Sequence, residues 1–306
     1  MTTRHAQALL FLENLAADPP QLPFEPSLLP VLSKHTSRDF HVPPETVTSL
    51  VSCSQGLAVQ VLRLANSAYY GLETKVSSLA RAIAILGMNE VRNLVLAYGA
   101  AAALRKMPLP PDFSVHALWE HQLRTAIMAY AMGDMARAAG LDMRLTGPDE
   151  LYAAGLLHDL GKVILASRRP NDWTAIQDLT RENNLELFAA EEQYWGIDHC
   201  TVGARVLAFW DLPPQLTELV SWHHAPQLAE EPYTTGTALL AAANRLANAV
   251  SRKKELTAEP LAQADILPEV WDILPPAMRT DTTLARLRAL SANDAVADKV
   301  KALAGY

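Results

Sequence analysis

A histidine and an aspartate stand side by side in the segment LLHDLGK, within a run that predicts one helix over 149–168. Adjacent helical side chains diverge by about 100°, but His158 and Asp159 can both reach an ion that lies over the seam between them. Lys162 follows one turn later on the same face. A glycine such as Gly161 destabilises a helix by up to about 1 kcal/mol relative to alanine. Its presence indicates that another group approaches the backbone closely, and a metal site would explain that approach.

Four further histidines lie on predicted helices at positions that can face one shared interior. His121 has small residues on its helical face, and His199 has a glycine one turn later. His223 continues an apolar stripe, and His224 stands beside it at the same rim. Imidazole nitrogens with a carboxylate suit iron, manganese, zinc or nickel better than calcium or magnesium. The pattern predicts a transition-metal site of one or two ions.

A ligating histidine donates its other ring N–H to an acceptor, and the candidate acceptors are Glu120, Glu191 and Asp198. A single histidine on a helix is more often a hydrogen-bonded core residue than a ligand, but the ordered set on four helices favours a metal site. Lys162 either solvates a helix surface or faces a phosphate group. Cys200 adjoins a candidate ligand but points about a third of a turn away, so we predict a small packing residue there.

These residues belong to an all-α fold, because apolar residues recur at helical spacing and no segment carries a hairpin signal. The spacing predicts helices near 44–54, 56–68, 77–86, 88–105, 115–139, 149–168, 172–184, 186–194, 199–210, 214–224, 235–252 and 281–304. Ser77 is the expected N-cap of the helix at 77–86. The proline-rich segment 106–114 is the expected domain junction.

The chain is predicted to divide into an N-terminal helical bundle at 1–110, a helical domain with the histidine-rich site at 111–255, and a C-terminal helical appendage at 256–306. A chain of 306 residues with 50% hydrophobic and 19% charged residues can bury a substantial core. We assign no chemistry to the C-terminal appendage.

Charge and cysteine content exclude several classes of protein. The net charge of -7 and the pI near 5.7 argue against direct nucleic-acid binding and against binding to an anionic membrane. The start of the sequence lacks the pattern of a secretory signal, and its apolar runs are too short to cross a bilayer. Cys53 and Cys200 are far apart, so a disulfide framework is not expected. The sequence predicts a soluble, cytoplasmic protein.

Several motifs resemble those of a known family. The first half contains LAVQVLRLANSAYYG at 57–71 and VSSLARAIAILGMNEVRNLVL at 76–96; the second contains LWEH, GLLHDLGKVIL, DHCTVGARVL and LVSWHHAP. In order and spacing they resemble the HDOD (HD-related output domain) signalling proteins of the HD-domain superfamily over about residues 20–250. Ser54 and Gln55 depart from the Asp-Pro pair common at that helix start. The resemblance implies an N-terminal bundle packed on an HD-type helical domain.

The related HD-GYP phosphodiesterases, which cleave cyclic dinucleotides, extend this resemblance to single residues. His121 matches their first histidine. His158 and Asp159 match their HD pair, and Lys162 matches the lysine of the same motif. His199 matches the histidine of their HTxxG segment. The resemblance therefore implies that the histidines and Asp159 are metal ligands.

The C-terminal part of the motif set is incomplete. His223 and His224 match the double histidine of the HD-GYP enzymes, but the best match to their last aspartate is Asn244. The GYP loop is absent, since the sequence continues HHAPQLAEEP. An amide offers one neutral carbonyl oxygen where a carboxylate offers two anionic oxygens. Asn244 is therefore expected to bind a metal more weakly than aspartate would.

The resemblance implies a bacterial signal-transduction module whose HD-like pocket binds metal or a nucleotide or phosphate ligand, without efficient catalysis, and which contacts a signalling protein. The alternative is a metal-dependent phosphohydrolase or cyclic-dinucleotide phosphodiesterase, in which Lys162 steadies the phosphate. Asn244 and the missing GYP loop argue against this alternative, because hydrolysis requires a firmly held metal and a shaped phosphate pocket.

Overall fold

The computed structural model describes residues 3–20, 43–52, 54–67, 70–72, 74–104, 107–256, 271, 274 and 276–291. Within these ranges every regular element is helical and no strand occurs. The all-α prediction is therefore confirmed. None of the helices in these ranges has the length and apolar character needed to span a membrane.

The helices are α1 (Thr3–Ala17), α2 (Pro44–Ser52), α3 (Gln55–Ala65), α4 (Leu79–Leu86), α5 (Met88–Leu104), α6 (Val115–Ala138), α7 (Pro148–Leu157), α8 (Leu160–Arg168), α9 (Pro170–Asn183), α10 (Leu187–Trp195), α11 (His199–Phe209), α12 (Pro214–Ser221), α13 (Thr234–Leu256) and α14 (Asp281–Ser291). Short 3-10 turns lie at Pro226–Leu228 and Pro276–Met278. The sequence pattern did not predict α1, and the predicted continuation of the last helix over 292–304 lies outside the described residues.

Serine side chains fix where three of these helices begin. Ser54 accepts a hydrogen bond from the Leu57 amide at 3.4 Å and so caps α3. Ser114 caps α6 in the same way. The cap of α4 is Ser78, one residue after the predicted Ser77, because Ser78 is the last extended residue and its hydroxyl accepts from the Arg81 amide.

The predicted helix over 149–168 is two helices in the structure. Helix α7 ends at Leu157 and α8 begins at Leu160. Between them, the backbone of Asp159 leaves the α-helical region at φ -97° and ψ 9°. Its carbonyl accepts the Lys162 amide at 3.0 Å, which is the tighter spacing of a turn. Both His158 and Asp159 lie in this turn.

The core of the histidine-rich half forms where α6, α7 and α13 pack together and where α11 packs against α8 and α12. Gly155 lets α7 approach α6 closely, because a Cβ at that position would lie 2.5 Å from the Ala126 Cα. Gly161 does the same for α8 and α11, where a Cβ would lie 1.9 Å from the His199 carbonyl oxygen. Close backbone approach therefore explains Gly161, and a metal is not needed to explain it.

The N-terminal helices join this core through α5, which packs on α7. Arg92 lies 3.6 Å from Glu150, and the Asn89 amide donates to Asp149 at 2.7 Å. At the other end of the chain, α14 packs against α6 and buries Leu287 completely. The boundaries at 110 and 255 remain predictions.

Candidate metal centre

Three helices and two turns bring the predicted metal ligands together. Helix α6 carries His121 on its inner face, and the first residue of α11 is His199. The turn between α7 and α8 carries the HD pair, the turn after α12 carries the double histidine, and α13 carries Asn244. Buried apolar residues of these helices, such as Leu123 and Val206, belong to the hydrophobic core.

The Asp159 carboxylate lies at the centre of the cluster, and its side chain is 1% exposed. Its Oδ1 atom lies 3.3 Å from the His199 Nε2 and 3.8 Å from the His223 Nε2. Its Oδ2 atom lies 2.6 Å from the Lys162 Nζ and 3.5 Å from the His121 Nε2. Oδ1 also lies 3.4 Å from the His158 Nε2, so the two oxygens face different but neighbouring sets of nitrogens.

These sets define two positions that could hold an ion. The inner position is formed by Oδ1 of Asp159 and the rings of His199, His223 and His224, with the Nε2 atoms of His199 and His224 3.2 Å apart. The outer position is formed by His121, His158 and Asp159, with the His121 Nε2 3.5 Å from Oδ2 and the His158 Nε2 3.4 Å from Oδ1.

Backbone carbonyls fix the orientation of two rings. The His158 Nδ1 lies 2.9 Å from the Gly155 carbonyl oxygen, and the His223 Nδ1 lies 2.7 Å from the Val220 carbonyl oxygen. A carbonyl only accepts, so each Nδ1 carries the hydrogen and donates it. In the neutral rings the Nε2 lone pairs then face the cluster, which is how metal-ligating histidines are held.

Glu191 holds the ring of His199. Its Oε2 accepts from the His199 backbone amide at 2.9 Å and from the His199 Nδ1 at 2.6 Å, and both side chains are fully buried. Of the three predicted acceptors, this is the one that contacts a site histidine through its side chain in the described structure. Asp198 instead caps α11 by accepting from the Thr201 amide, and Glu120 pairs with Arg124.

Burial keeps most of these imidazoles neutral. It lowers the pKa of His121 to about 3, although the Asp159 carboxylate acts in the opposite direction. Burial, together with the neighbouring rings, also lowers the pKa of His223 and His224 well below the usual value. Burial acts the same way on His199, but Glu191 outweighs it and raises its pKa well above the usual value. Neutral imidazoles are the form that binds metal.

Burial acts to raise the pKa of Asp159, but His158 and Lys162 hold it well below the usual range. The carboxylate is therefore ionised, and an ionised carboxylate can only accept. Its buried Oδ1 nevertheless makes no standard hydrogen bond. A buried anionic oxygen without a donor, facing imidazole nitrogens, has the chemistry of a cation site. The described residues thus fit a transition metal at the inner position.

A cleft of about 720 Å³ opens beside the inner position. The His224 ring lies in its wall and stacks on Phe188, with ring centroids 4.5 Å apart and planes 16° from parallel. Arg205 and Thr201 on α11 also line the cleft, and Leu9 of α1 closes one side. A ligand in this cleft would contact the ring of a candidate metal ligand together with a cationic side chain.

Comparison with known proteins agrees with this architecture. Residues 22–226 match the model of the HDOD domain. The chain belongs to the HDOD family. An uncharacterised protein from Treponema pallidum (strain Nichols) is 27% identical over 227 residues, which are 74% of this chain and 42% of that protein. The HDOD chain described here thus spans less than half the length of that relative.

Three solved structures share the fold. An HDOD domain protein of unknown function from Geobacter sulfurreducens has a TM-score of 0.72 at 22% identity, with 97% of this chain and 98% of that chain covered. A protein from Shewanella amazonensis SB2B, described as a candidate phosphohydrolase, has a TM-score of 0.70 at 23% identity, with 97% and 98% covered. A candidate signal-transduction protein from Marinobacter aquaeolei VT8 has a TM-score of 0.66 at 19% identity, with 95% and 66% covered.

The outer position of this HDOD protein contains two features that weaken metal binding. Lys162 places its ammonium group against Oδ2 of Asp159, where a second ion would otherwise share the carboxylate. Asn244 is buried on α13, which packs against α6, and its amide acts to raise the pKa of His121. It also accepts a hydrogen bond from Asn248 at 3.3 Å. A resident cation and a neutral amide both reduce the attraction for a second metal ion.

One neighbour of the inner position differs from the sequence prediction. We predicted that Cys200 is a small packing residue pointing away from the site, but its Sγ lies 3.9 Å from the His223 Nε2. Burial raises the pKa of this thiol to about 11, so without a cation it stays protonated and is not a nucleophile. The adjacency of a cysteine to a candidate histidine ligand was the one sequence signal that pointed to it.

The first testable prediction concerns Glu191. Glu191→Gln keeps the size of the side chain but removes the charge that makes the His199 ring basic. We expect zinc affinity, measured by competition with a chelator, to fall about 10- to 100-fold. Glu192→Gln, one residue later and exposed, is the matched control and should leave affinity unchanged. Equal affinities for the two variants would show that Glu191 does not support a metal ligand.

Proposed function

We propose that this HDOD protein is a signal-transduction module that holds one transition-metal ion at the inner position and has no efficient phosphohydrolase activity. The observation that carries the proposal is the buried, ionised Oδ1 of Asp159, which makes no standard hydrogen bond and faces the rings of His199 and His223. A cation would satisfy this oxygen and the lone pairs of the rings together.

The proposed count of one ion follows from the asymmetry of the two positions. The inner position has three imidazoles and a carboxylate oxygen that makes no ion pair with a lysine or arginine among the described residues. Glu191 raises the pKa of His199, so this ring must release a proton when a metal binds. At the outer position, Lys162 already neutralises Oδ2 and Asn244 supplies no charge. A single carboxylate at the centre of the site supports one dication better than two, because like charges a few ångström apart repel in a buried site.

The loss of one position argues against efficient hydrolysis. In two-metal phosphohydrolases the two ions, about 3.5–4 Å apart, stabilise both the attacking and the leaving oxygen. A single ion coordinated by three imidazoles can stabilise a pocket or position a ligand without supplying both functions. We therefore infer a regulatory role, in which the cleft beside His224 takes a phosphate-bearing ligand near Arg205.

The structural neighbour described as a candidate signal-transduction protein supports this class of function. We propose that the module acts in the cytoplasm and contacts a signalling protein, as the HDOD resemblance implies. Direct nucleic-acid binding is not part of the proposal, since the chain carries a net charge of -7.

The second testable prediction measures metal stoichiometry. Wild-type protein purified without chelator, or titrated with zinc after chelation, should hold about one ion per chain by elemental analysis. Asn244→Asp should raise this value towards two, because an anionic ligand joins His121 and His158 at the outer position. Gln193→Glu, at an exposed position of α10, is the control for added charge and should leave the count at one. Absence of any bound transition metal in the wild-type protein would overturn the proposal.

The second candidate function is a metal-dependent phosphohydrolase. It is favoured by the position of Lys162, which is 19% exposed at the edge of the site and can face a phosphate group, and by the name given to the Shewanella amazonensis SB2B structure. The test is whether the metal-loaded wild-type protein releases phosphate from nucleotides or cleaves cyclic dinucleotides. Such activity, if His158→Ala abolishes it, would establish the phosphohydrolase. Binding of these compounds without turnover would favour the signalling module.

A further inference from the structure

The sulfur of Cys200 lies among the donors of the inner position. Ligand atoms of Cys200, His199, His223 and His224 all lie within 4.8 Å of one another. The cysteine is 1% exposed and is the second residue of α11, directly after His199. The turn after α12 carries the two other histidines to the same end of α11. One helix start and one turn thus supply four nitrogen and sulfur donors.

Two of the separations among these donors are close to what one tetrahedral ion requires. With Zn–N near 2.05 Å and Zn–S near 2.3 Å, a tetrahedral centre separates two nitrogens by about 3.3 Å and a nitrogen from a sulfur by about 3.6 Å. The Nε2 atoms of His199 and His224 lie 3.2 Å apart, and the Cys200 Sγ lies 3.9 Å from the His223 Nε2. Both separations are within a few tenths of an ångström of these values.

A second observation points to a cation at this place, independently of the cysteine. The buried Oδ1 of Asp159 makes no standard hydrogen bond, and it lies 3.3 Å from His199 and 3.8 Å from His223. The His223 Nδ1 donates to the Val220 carbonyl, so the lone pair of Nε2 points towards the sulfur. In the absence of a metal, the thiol S–H is a weak donor to that nitrogen; with a metal, both atoms face the same ion.

We propose that Cys200 is a protein ligand of the inner position and that it selects a thiophilic ion, with zinc as the resident metal in preference to manganese or magnesium. This inference rests on the proposed function, which requires a metal at the inner position but leaves its identity open. Thiolate and imidazole donors suit zinc, whereas sites with carboxylate and water ligands suit manganese and magnesium. Coordination forms the metal–sulfur bond and releases the thiol proton to solvent.

Cobalt(II) tests the proposal by spectroscopy, because it occupies zinc sites and reports its ligands. The full-length protein is stripped with chelator and titrated with Co²⁺. Oδ1 of Asp159, the three histidines and Cys200 make up to five donors, so we expect visible d–d bands of a four- or five-coordinate centre together with the near-ultraviolet sulfur-to-cobalt charge-transfer band. Cys200→Ser should lose the charge-transfer band and weaken zinc binding by more than about 100-fold, beyond the effect expected for a residue that only supports a ligand. Cys53→Ser, at the other cysteine of the sequence, should keep both bands.

These outcomes separate the claim that Cys200 is a ligand from the claim that the inner position holds a metal. Visible cobalt bands without the charge-transfer band would overturn the role of Cys200 and leave the metal centre in place. Absence of any cobalt bands in the wild-type protein would overturn the metal centre, and with it the proposed function. X-ray absorption at the zinc edge of the zinc-loaded wild-type protein needs no variant, so it tests for a sulfur ligand even if Cys200→Ser fails to fold. A ligand shell of only nitrogen and oxygen would contradict the proposal.

Discussion

Replacing Asp159 by asparagine is expected to abolish stable metal binding. The carboxylate is the one anionic oxygen ligand of the inner position, and its Oδ1 faces His199 and His223. A unit charge about 4 Å from another is worth about 4 kcal/mol at an effective dielectric constant of 20, or about a thousandfold in affinity. Elemental analysis of dialysed Asp159→Asn should therefore find far less than one ion per chain, and chelator competition should give the loss in affinity.

The control for this prediction is His121→Ala, because His121 lies beside Oδ2 of Asp159 at the outer position. We expect this variant to keep its metal, whereas His223→Ala should lose it. Equal losses in His121→Ala and His223→Ala would contradict the division into an inner and an outer position. Far-ultraviolet circular dichroism of each variant separates loss of metal from loss of fold.

Much of this site could be predicted from the sequence because its residues occur in short motifs on strongly periodic helices. Such helices place their side chains predictably, so His121 on α6 and His199 on α11 could be assigned to an interior face before their neighbours were known. The part that could not be predicted depends on contacts between helices. That Oδ1 of Asp159 lies 3.3 Å from His199 depends on how α8 packs on α11, which no single-helix pattern contains.

The prediction for Cys200 shows the same limit. On a single helix, the side chain of Cys200 points about a third of a turn away from that of His199, and so away from an ion bound on the His199 face. In the structure the turn after α12 packs against the start of α11, so the donors surround that end of the helix instead of one face. A residue adjacent to a ligand can then reach the same ion. Helical periodicity contains no information about the position of a turn from another element.

The break between α7 and α8 was hidden for a related reason. Apolar residues continue at helical spacing through 149–168, so the pattern predicts one helix. The backbone leaves the helix only at Asp159, where its side chain turns towards the histidines. A local departure of one residue does not disturb the hydrophobic period. The functional residues themselves thus lie where the periodic pattern is least informative.

Gly161→Ala is expected to damage both the fold and the metal site. A Cβ at Gly161 would lie 1.9 Å from the His199 carbonyl oxygen and 2.8 Å from the Gly203 amide nitrogen, so α8 and α11 must move apart. Overpacking against backbone costs about 1–3 kcal/mol or more, which exceeds the gain of about 1 kcal/mol that alanine brings to a helix. For a domain of roughly 150 residues, a loss of about 2–3 kcal/mol in the free energy of unfolding lowers Tm by roughly 5–10 °C. Calorimetry can measure this change. Because His199 moves with α11, zinc affinity should fall as well.

Gly203→Ala is the matched control, since it places a methyl group on the opposite side of the same contact. The nearest atoms to a Cβ there are the Gly161 nitrogen at 3.2 Å and a Val220 methyl carbon at 3.4 Å, which small shifts can relieve. The cost should be close to the gain in helix propensity, so Tm and zinc affinity should stay near those of the wild-type protein. If Gly161→Ala were as stable as Gly203→Ala and bound zinc equally well, the close packing of α8 on α11 would not be what positions His199.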